Sequence, residues 1–193
     1  MGVKVTVHDW TVGDQHSVAL LRALRNNQEL RSDIREAEVV TFYIPPEHLR
    51  TALYSYMDGS CGGEDNQDCF REGLTLYKAD VDAIIAEILW LTSTSDTLIR
   101  AMTYYNSLVN YHKELGIFED LNPYFQALNE YVVQVASEHN IPVAQVYLAF
   151  NGPNGDEDPA DKGYMSDLWH TNSVGAALIA DLHRELGYEP LGP

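Results

Sequence analysis

The sequence predicts an α/β fold in which helices cover both faces of a mostly parallel β-sheet. Two observations predict it: short apolar segments alternate with longer segments, and in the longer ones the apolar residues recur at helical spacing. A third concerns size, because 193 residues with 45% hydrophobic content suit one domain with a substantial core. We therefore expect residues 1–193 to form a single domain that binds ligands beyond the carboxyl ends of its strands.

Four segments have the alternation or the short apolar run that is typical of strands. The first alternates valines with Lys4 and Thr6, and the second stops at Pro45-Pro46, because proline has no N–H to donate to a β-ladder. The predicted strands are residues 3–7, 39–44, 97–104 and 142–150.

The helices are predicted from apolar spacing and from residues that favour helix ends. Ser17 is expected to cap the first helix, and Gly187 is expected to stop the last one. The predicted helices are residues 17–24, 29–36, 48–57, 70–91, 121–140 and 174–186, with a partly helical loop over 106–116. The polar loop 151–162 is either functional or a solvated surface loop.

The charge balance excludes several partners. With 12 Lys and Arg against 29 Asp and Glu, the net charge is −17, so we expect no binding to nucleic acid or to anionic membranes. No apolar run approaches the roughly 20 residues that span a bilayer, so no membrane span is expected. The apolar part of the N-terminus is too short for a signal peptide.

Cys61 and Cys69 are the two cysteines and lie in a Gly-, Asp- and Asn-rich segment. A local disulfide is the favoured interpretation, since two thiols without nearby histidines give too few ligands for structural zinc. A disulfide would suit an extracellular or cell-surface location. A reduced pair in a cytosolic protein is the alternative.

Asp167 and His170 stand close together just before the last predicted helix. A carboxylate in this position can orient the imidazole, whose other nitrogen can then take a proton from a nucleophile. His112, His139 and His183 are expected to be exposed and are assigned no role.

Asp167-x-x-His170, followed by Asn172 and Gly175, resembles the last conserved block of the SGNH (GDSL-type) esterases and lipases. Residues 37–44 resemble the third strand of that family, and residues 61–69 resemble a loop of some bacterial members. Residues 150–155, Phe-Asn-Gly-Pro-Asn-Gly, resemble the last active-site loop and include Asn154.

The resemblance implies a three-layer, flavodoxin-like sheet and hydrolysis of a small ester or acylated sugar without a cofactor. On this interpretation His170 is the general base and Asp167 is its orienting partner.

The sequence also departs from the family at three positions. It contains no Gly-Asp-Ser, and its opening resembles the second strand of the family, so the first strand and the nucleophile are expected to be missing. Glu47 and His48 stand where Gly-x-Asn-Asp would supply an amide donor to the oxyanion, and Asp14, or the adjacent position, stands in place of a glycine donor. An ionised carboxylate accepts hydrogen bonds and cannot stabilise an oxyanion.

Three hypotheses follow. The first is an ester hydrolase in shortened or altered form, and the second is a catalytically inactive relative that binds a ligand or another protein. The third is a metal site built from Glu47, His48 and His170, with Asp14, His16 and Asp167 on the same rim. The missing strand also predicts that residues 3–7 pair beside residues 39–44, or that a second copy completes the sheet in a homo-oligomer.

Overall fold

The computed structural model describes residues 5–11 and 16–191 of the chain. Its centre is a parallel sheet of three strands in the order β1-β2-β3. The strands are β1 (Val39–Phe42), β2 (Leu98–Met102) and β3 (Val143–Ala144). Val40 lies opposite Ile99, and Ala101 lies opposite Val143. The predicted α/β fold with a parallel sheet is confirmed.

Eight helices in the described residues surround this sheet. They are α1 (Ser17–Asn26), α2 (Gln28–Glu36), α3 (Glu47–Met57), α4 (Asp68–Leu91), α5 (Val109–Glu114), α6 (Phe118–Glu138), α7 (Val146–Asn151) and α8 (Ser173–Glu185). The longest, α4, buries residues at helical spacing, including Tyr77, Val81, Ile84 and Ile88. That spacing confirms the helix predicted from the apolar pattern.

Both faces of the sheet carry helices because successive strand residues point to opposite sides. Val40, Phe42, Ile99 and Ala101 pack into the main core that α4 and α6 share. On the other face, Ala144 and Met102 pack against Leu178 and neighbouring residues of α8. The sheet is therefore covered most completely on the side of α4 and α6.

Two strand predictions were wrong. Residues 5–7 of the first predicted strand are irregular and exposed, and residues 3 and 4 lie outside the described part of the chain. The adjoining Trp10 instead donates a hydrogen bond to Asp33 of α2 at 2.8 Å. The last predicted strand stops at Ala144, because residues 146–151 form α7 and bury Val146, Tyr147 and Phe150 along one helical face.

Within residues 5–11 and 16–191, β1 has a strand partner on one side only. Its outward residues, Val39 and Thr41, are exposed. In the described chain β1 is therefore an edge strand, and residues 5–7 do not pair beside it.

The cysteine prediction is confirmed, since Cys61 and Cys69 form a disulfide with their Cα atoms 4.8 Å apart. The loop they close is attached to α6 because Gln67 donates to Asp120 at 3.0 Å.

None of the helices in the described chain is both long and apolar enough to cross a bilayer.

Candidate active site

Asp167 and His170 form a hydrogen-bonded pair in the loop before α8. Nδ1 of His170 lies 2.9 Å from Oδ2 and 3.0 Å from Oδ1 of Asp167. Oδ1 of Asp167 also accepts hydrogen bonds from the backbone N–H groups of Trp169 and His170, both at 2.8 Å. The carboxylate is therefore held by its own loop, and it fixes Nδ1 of the ring towards itself.

The sequence around this pair builds the loop that holds it. A short antiparallel bridge joins Met165 to Thr171, and the side chain of Asn172 caps α8 by accepting from the N–H groups of Val174 and Gly175. A Cβ at Gly175 would collide with the backbone carbonyl of Tyr164. The Asn and Gly that follow the histidine are thus explained by the helix cap and by close packing on the loop.

The pair is open to solvent, and the carboxylate of Asp167 is ionised. The side chain of His170 is 78% exposed and that of Asp167 is 55% exposed. The Trp169 backbone N–H, the His170 ring and the His170 backbone N–H lower the pKa of Asp167 to about 2. No hydrogen bond among residues 5–11 and 16–191 involves Nε2 of His170. That nitrogen is available to accept a proton from a bound molecule.

The loop contacts the carboxyl end of the sheet through Tyr105, just beyond β2. The hydroxyl of Tyr105 lies 3.5 Å from the carbonyl oxygen of Trp169. The pair therefore lies on the side of the sheet where ligands bind in open α/β folds.

Glu47 and His48 form their hydrogen bonds and ion pairs with residues other than Asp167 and His170. Oε2 of Glu47 lies 3.1 Å from Nδ1 of His16, and Glu47 accepts two hydrogen bonds from Arg50 at 2.7 and 3.1 Å. Nε2 of His48 lies 2.9 Å from Oδ2 of Asp80. Asp14, the third altered position, lies outside the described residues.

Ser17 does not cap α1 as predicted. The cap position is His16, and the hydroxyl of the fully buried Ser17 donates to Asp80, far along the chain. This hydroxyl is buried and donates to Asp80 instead of to the imidazole of His170, so it is not placed as a nucleophile for that base.

Asn154 is placed against α6. Its backbone carbonyl accepts hydrogen bonds from Asn122 and Gln126, both at 2.9 Å. Sequence reasoning missed Asn151, which is fully buried and exchanges hydrogen bonds with the backbone of Asn106 at 2.9 and 2.7 Å. Asn151 thereby joins the start of loop 151–162 to the segment after β2.

The described residues of the predicted metal rim fall into separate pairs: His16 with Glu47, Asp167 with His170, and His48 with Asp80. Among the described residues, no group of three or more His, Cys, Asp or Glu side chains is placed to hold a metal ion. His112, expected to be exposed, is instead 3% exposed and packs beside Asn106. Its burial was missed because its contacts come from residues on other elements.

Comparisons with known proteins support the fold. No protein-family model matches the sequence, and no curated protein matches it. Among solved structures, the lipase Lip_vut3 from a goat rumen metagenome superposes with a TM-score of 0.70 at 20% identity. The match covers 91% of this chain and 76% of that lipase. The chain therefore shares its fold with a lipase, as the flavodoxin-like, three-layer prediction implied.

Proposed function

We propose that this chain is an SGNH-type carboxylic ester hydrolase domain in altered form, acting on a small ester or acylated sugar. His170 is the general base, and Asp167 orients it. The observation that carries the proposal is the hydrogen-bonded His170–Asp167 pair, with its second ring nitrogen free, at the carboxyl end of a lipase-like fold.

The chemistry follows from the two ring nitrogens. The Nδ1–H of His170 donates to the ionised Asp167, so Nε2 carries the lone pair that accepts a proton. Nε2 takes a proton from the attacking oxygen as that oxygen bonds to the ester carbonyl carbon. The resulting imidazolium is stabilised by Asp167 and returns the proton to the alcohol when the ester C–O bond breaks.

We assign the attacking oxygen to water. The sequence contains no Gly-Asp-Ser, and the hydroxyls of Ser166 and Ser17 are engaged otherwise. Ser166 donates to the carbonyl of His170 at 3.0 Å, and Ser17 donates to Asp80. Overall, an ester and a water give a carboxylic acid and an alcohol, with the proton carried by His170.

Turnover of p-nitrophenyl acetate by wild type and by His170→Ala tests this function. We expect the variant to lose at least about 10²-fold in rate, the usual contribution of a positioned base. His139→Ala, which removes an exposed histidine at the end of α6, is the matched control and should keep the wild-type rate. Equal rates in all three proteins would refute the role of His170.

A fluorophosphonate probe tests the identity of the nucleophile separately. Turnover without labelling supports water. A covalent adduct would replace water by a side-chain hydroxyl while leaving the base in place.

A second candidate is a catalytically inactive domain that binds a ligand or partner through the same crevice. It is favoured by Glu47, whose carboxylate is occupied by His16 and Arg50 and cannot donate to an oxyanion. Absence of both turnover and labelling in wild type would select this candidate.

Two further features support proposals about the cellular location and the oligomeric state of the protein. The disulfide is of the kind that persists outside the cytosol, so we infer an extracellular or cell-surface location. The unpaired side of β1 supports a homo-oligomer in which a second copy completes the sheet. Sedimentation equilibrium that detects monomer alone would refute the oligomer. Free thiols at Cys61 and Cys69 in the protein isolated from its native source would refute the location.

A further inference from the structure

Three tyrosines line the carboxyl ends of β1 and β2. Tyr43 follows β1, and Tyr104 and Tyr105 follow β2. The ring centroids of Tyr43 and Tyr104 are 6.3 Å apart with planes at 12°, and those of Tyr104 and Tyr105 are 6.2 Å apart with planes at 13°. The rings therefore form a nearly parallel row, which we call the tyrosine row, running from the edge strand to the Asp167–His170 loop.

The row is held in place by packing on the core. Tyr104 stacks on Phe125 of α6 with centroids 5.8 Å apart. Tyr105 packs on Phe150 of α7 with centroids 4.7 Å apart. Such contacts lie in the favourable range for aromatic pairs, so the rings are preorganised before any ligand arrives.

The hydroxyls of the row differ from those of five tyrosines elsewhere with buried or half-buried rings, whereas the half-buried Tyr164, which packs on Phe150, also makes no hydroxyl hydrogen bond in the described chain. Within the described chain, no hydrogen bond uses the hydroxyl of Tyr43 or Tyr104, and that of Tyr105 makes one long contact of 3.5 Å. The comparison set donates to protein acceptors: Tyr56 to Asp120, Tyr77 to Ile44, Tyr124 to Gln67, Tyr131 to Asp82 and Tyr147 to Asn122. The row thus keeps donors that the protein does not use.

These hydroxyls keep their protons at neutral pH. Burial raises the pKa of Tyr43 and of Tyr104 above the ordinary value. Burial also raises the pKa of Tyr105, as do the nearby Tyr43 and the carboxylate of Asp167. A neutral phenol donates a hydrogen bond, whereas a phenolate could not.

The loop that carries Asp167 and His170 has few free hydrogen-bond donors of its own. The N–H groups of Trp169 and His170 both donate to Asp167, and the N–H of Ser166 donates to the carbonyl of His170 at 2.8 Å. A side-chain donor beside the loop would add to the N–H groups of Asp167 and Leu168, which make no hydrogen bond in the described chain. The Tyr105 hydroxyl, 3.5 Å from the carbonyl of the residue before His170, is a side-chain donor that reaches this loop from the end of β2.

We propose that the Tyr105 hydroxyl donates a hydrogen bond to the carbonyl oxygen of the bound ester, with the rings of Tyr43 and Tyr104 forming the wall beside its acyl or alcohol group. The ligand class is an uncharged ester that carries a planar, apolar group. Aromatic faces favour such a group, while Asp167, Glu47 and the net charge of −17 disfavour an anionic one. This inference rests on the proposed function.

The role is electrostatic and requires no proton transfer from Tyr105. As the attacking oxygen bonds to the carbonyl carbon, the carbonyl π electrons move to its oxygen, and the phenol hydrogen bond strengthens. When the alcohol leaves, the C=O bond reforms and the phenol still holds its proton.

Tyr105→Phe in the full chain is the direct test, because it removes one oxygen and keeps the ring on Phe150. With p-nitrophenyl acetate we expect kcat to fall about 10²-fold, as for loss of one oxyanion donor, while KM changes less than about 3-fold. Tyr131→Phe, which removes a hydroxyl bound to exposed Asp82, is the matched control and should keep the wild-type kcat. Equal melting temperatures for Tyr105→Phe and wild type confirm that the fold is intact.

Binding of acetanilide separates this inference from the proposed function. This amide has a carbonyl acceptor and a planar ring but resists hydrolysis, and NMR titration measures its dissociation constant. We expect about 5-fold weaker binding to Tyr105→Phe, the value of one net hydrogen bond of about 1 kcal/mol.

Each outcome decides one of the two proposals. Wild-type turnover with an unchanged kcat in Tyr105→Phe would overturn the role of Tyr105 and leave that of His170. No wild-type turnover would overturn the proposed hydrolase, and acetanilide would then decide alone. Weaker binding to Tyr105→Phe supports the hydroxyl as carbonyl donor, whereas equal binding, or none to wild type, overturns it.

Discussion

Two histidine–carboxylate pairs in this protein have the same separation and opposite settings. Nδ1 of His170 lies 2.9 Å from Asp167, and Nε2 of His48 lies 2.9 Å from Asp80. The side chains of the first pair are 78% and 55% exposed, whereas those of the second are 23% and 16% exposed. Equal distances therefore accompany very different access to solvent.

The pairs also differ in what else their carboxylates bind. Asp167 accepts from the backbone of its own loop, so it shapes the loop and orients one ring. Asp80 of α4 accepts from His48 of α3 and from Ser17 of α1, so it joins three helices. The comparison teaches that solvent access and the other partners of the carboxylate distinguish the two pairs, whereas the nitrogen–oxygen distance does not.

The largest effect expected from this contrast is the loss of turnover rate in the Asp167→Asn variant. An amide oxygen in place of Oδ1 can still accept from the N–H groups of Trp169 and His170 and from Nδ1–H of the ring. The neutral amide, however, lacks the negative charge that stabilises the imidazolium, and its NH₂ in place of Oδ2 cannot accept a hydrogen bond. We expect p-nitrophenyl acetate turnover to fall about 10²- to 10⁴-fold with little change in melting temperature.

Asp181→Asn is the matched control for that substitution. It removes an exposed carboxylate of α8 that pairs with Arg184, and it should leave the rate unchanged. If Asp167→Asn kept the wild-type rate, the role of Asp167 as the partner of a general base would be refuted.

The next effect is on stability, in Asp80→Ala. The change leaves the buried Ser17 hydroxyl and Nε2 of His48 without their acceptor, which should lower the free energy of unfolding by about 1–3 kcal/mol. The melting temperature should fall by roughly 2–4 °C per kcal/mol for a chain of this size. Turnover at 25 °C should persist.

Asp82→Ala provides the comparison on the same helix. Asp82 is exposed and accepts from Tyr131 at 2.8 Å, so its loss should cost less than about 1 kcal/mol. If Asp80→Ala were as stable as Asp82→Ala, the structural role of the buried pair would be refuted.

The smallest effect concerns His112, a buried histidine without a carboxylate hydrogen bond. Burial lowers its pKa to about 4, which outweighs the opposing pull of Asp158. The unfolded chain, with a pKa near 6.5, binds a proton that the folded protein does not, so stability is lost as pH falls from about 6.5 towards 4. We expect a loss on the order of 1–2 kcal/mol between pH 7 and pH 5 in urea unfolding.

His112→Gln should remove that part of the pH dependence, since glutamine does not titrate. The free energy of unfolding could instead change equally in wild type and variant between pH 7 and pH 5. That result would refute the neutral, buried state of His112.

Features that depend on near neighbours in the chain could be predicted from the sequence. The apolar spacing of α4 indicated its helix to within a few residues, and the disulfide and the Asp167–His170 pair each join residues a short distance apart. The fold class followed from the order of such segments. Local geometry limits these features before any tertiary contact forms.

Only the tertiary structure decided the rest. The apolar run after Pro142 fits a strand or a buried helix equally well, and packing of Val146 and Phe150 made most of it α7. Ser17 has the local character of a helix cap, yet Asp80 from a distant part of the chain takes its hydroxyl. The tyrosine row exists because parallel strands place their carboxyl ends side by side, so a pairing distant in sequence brings its three rings together.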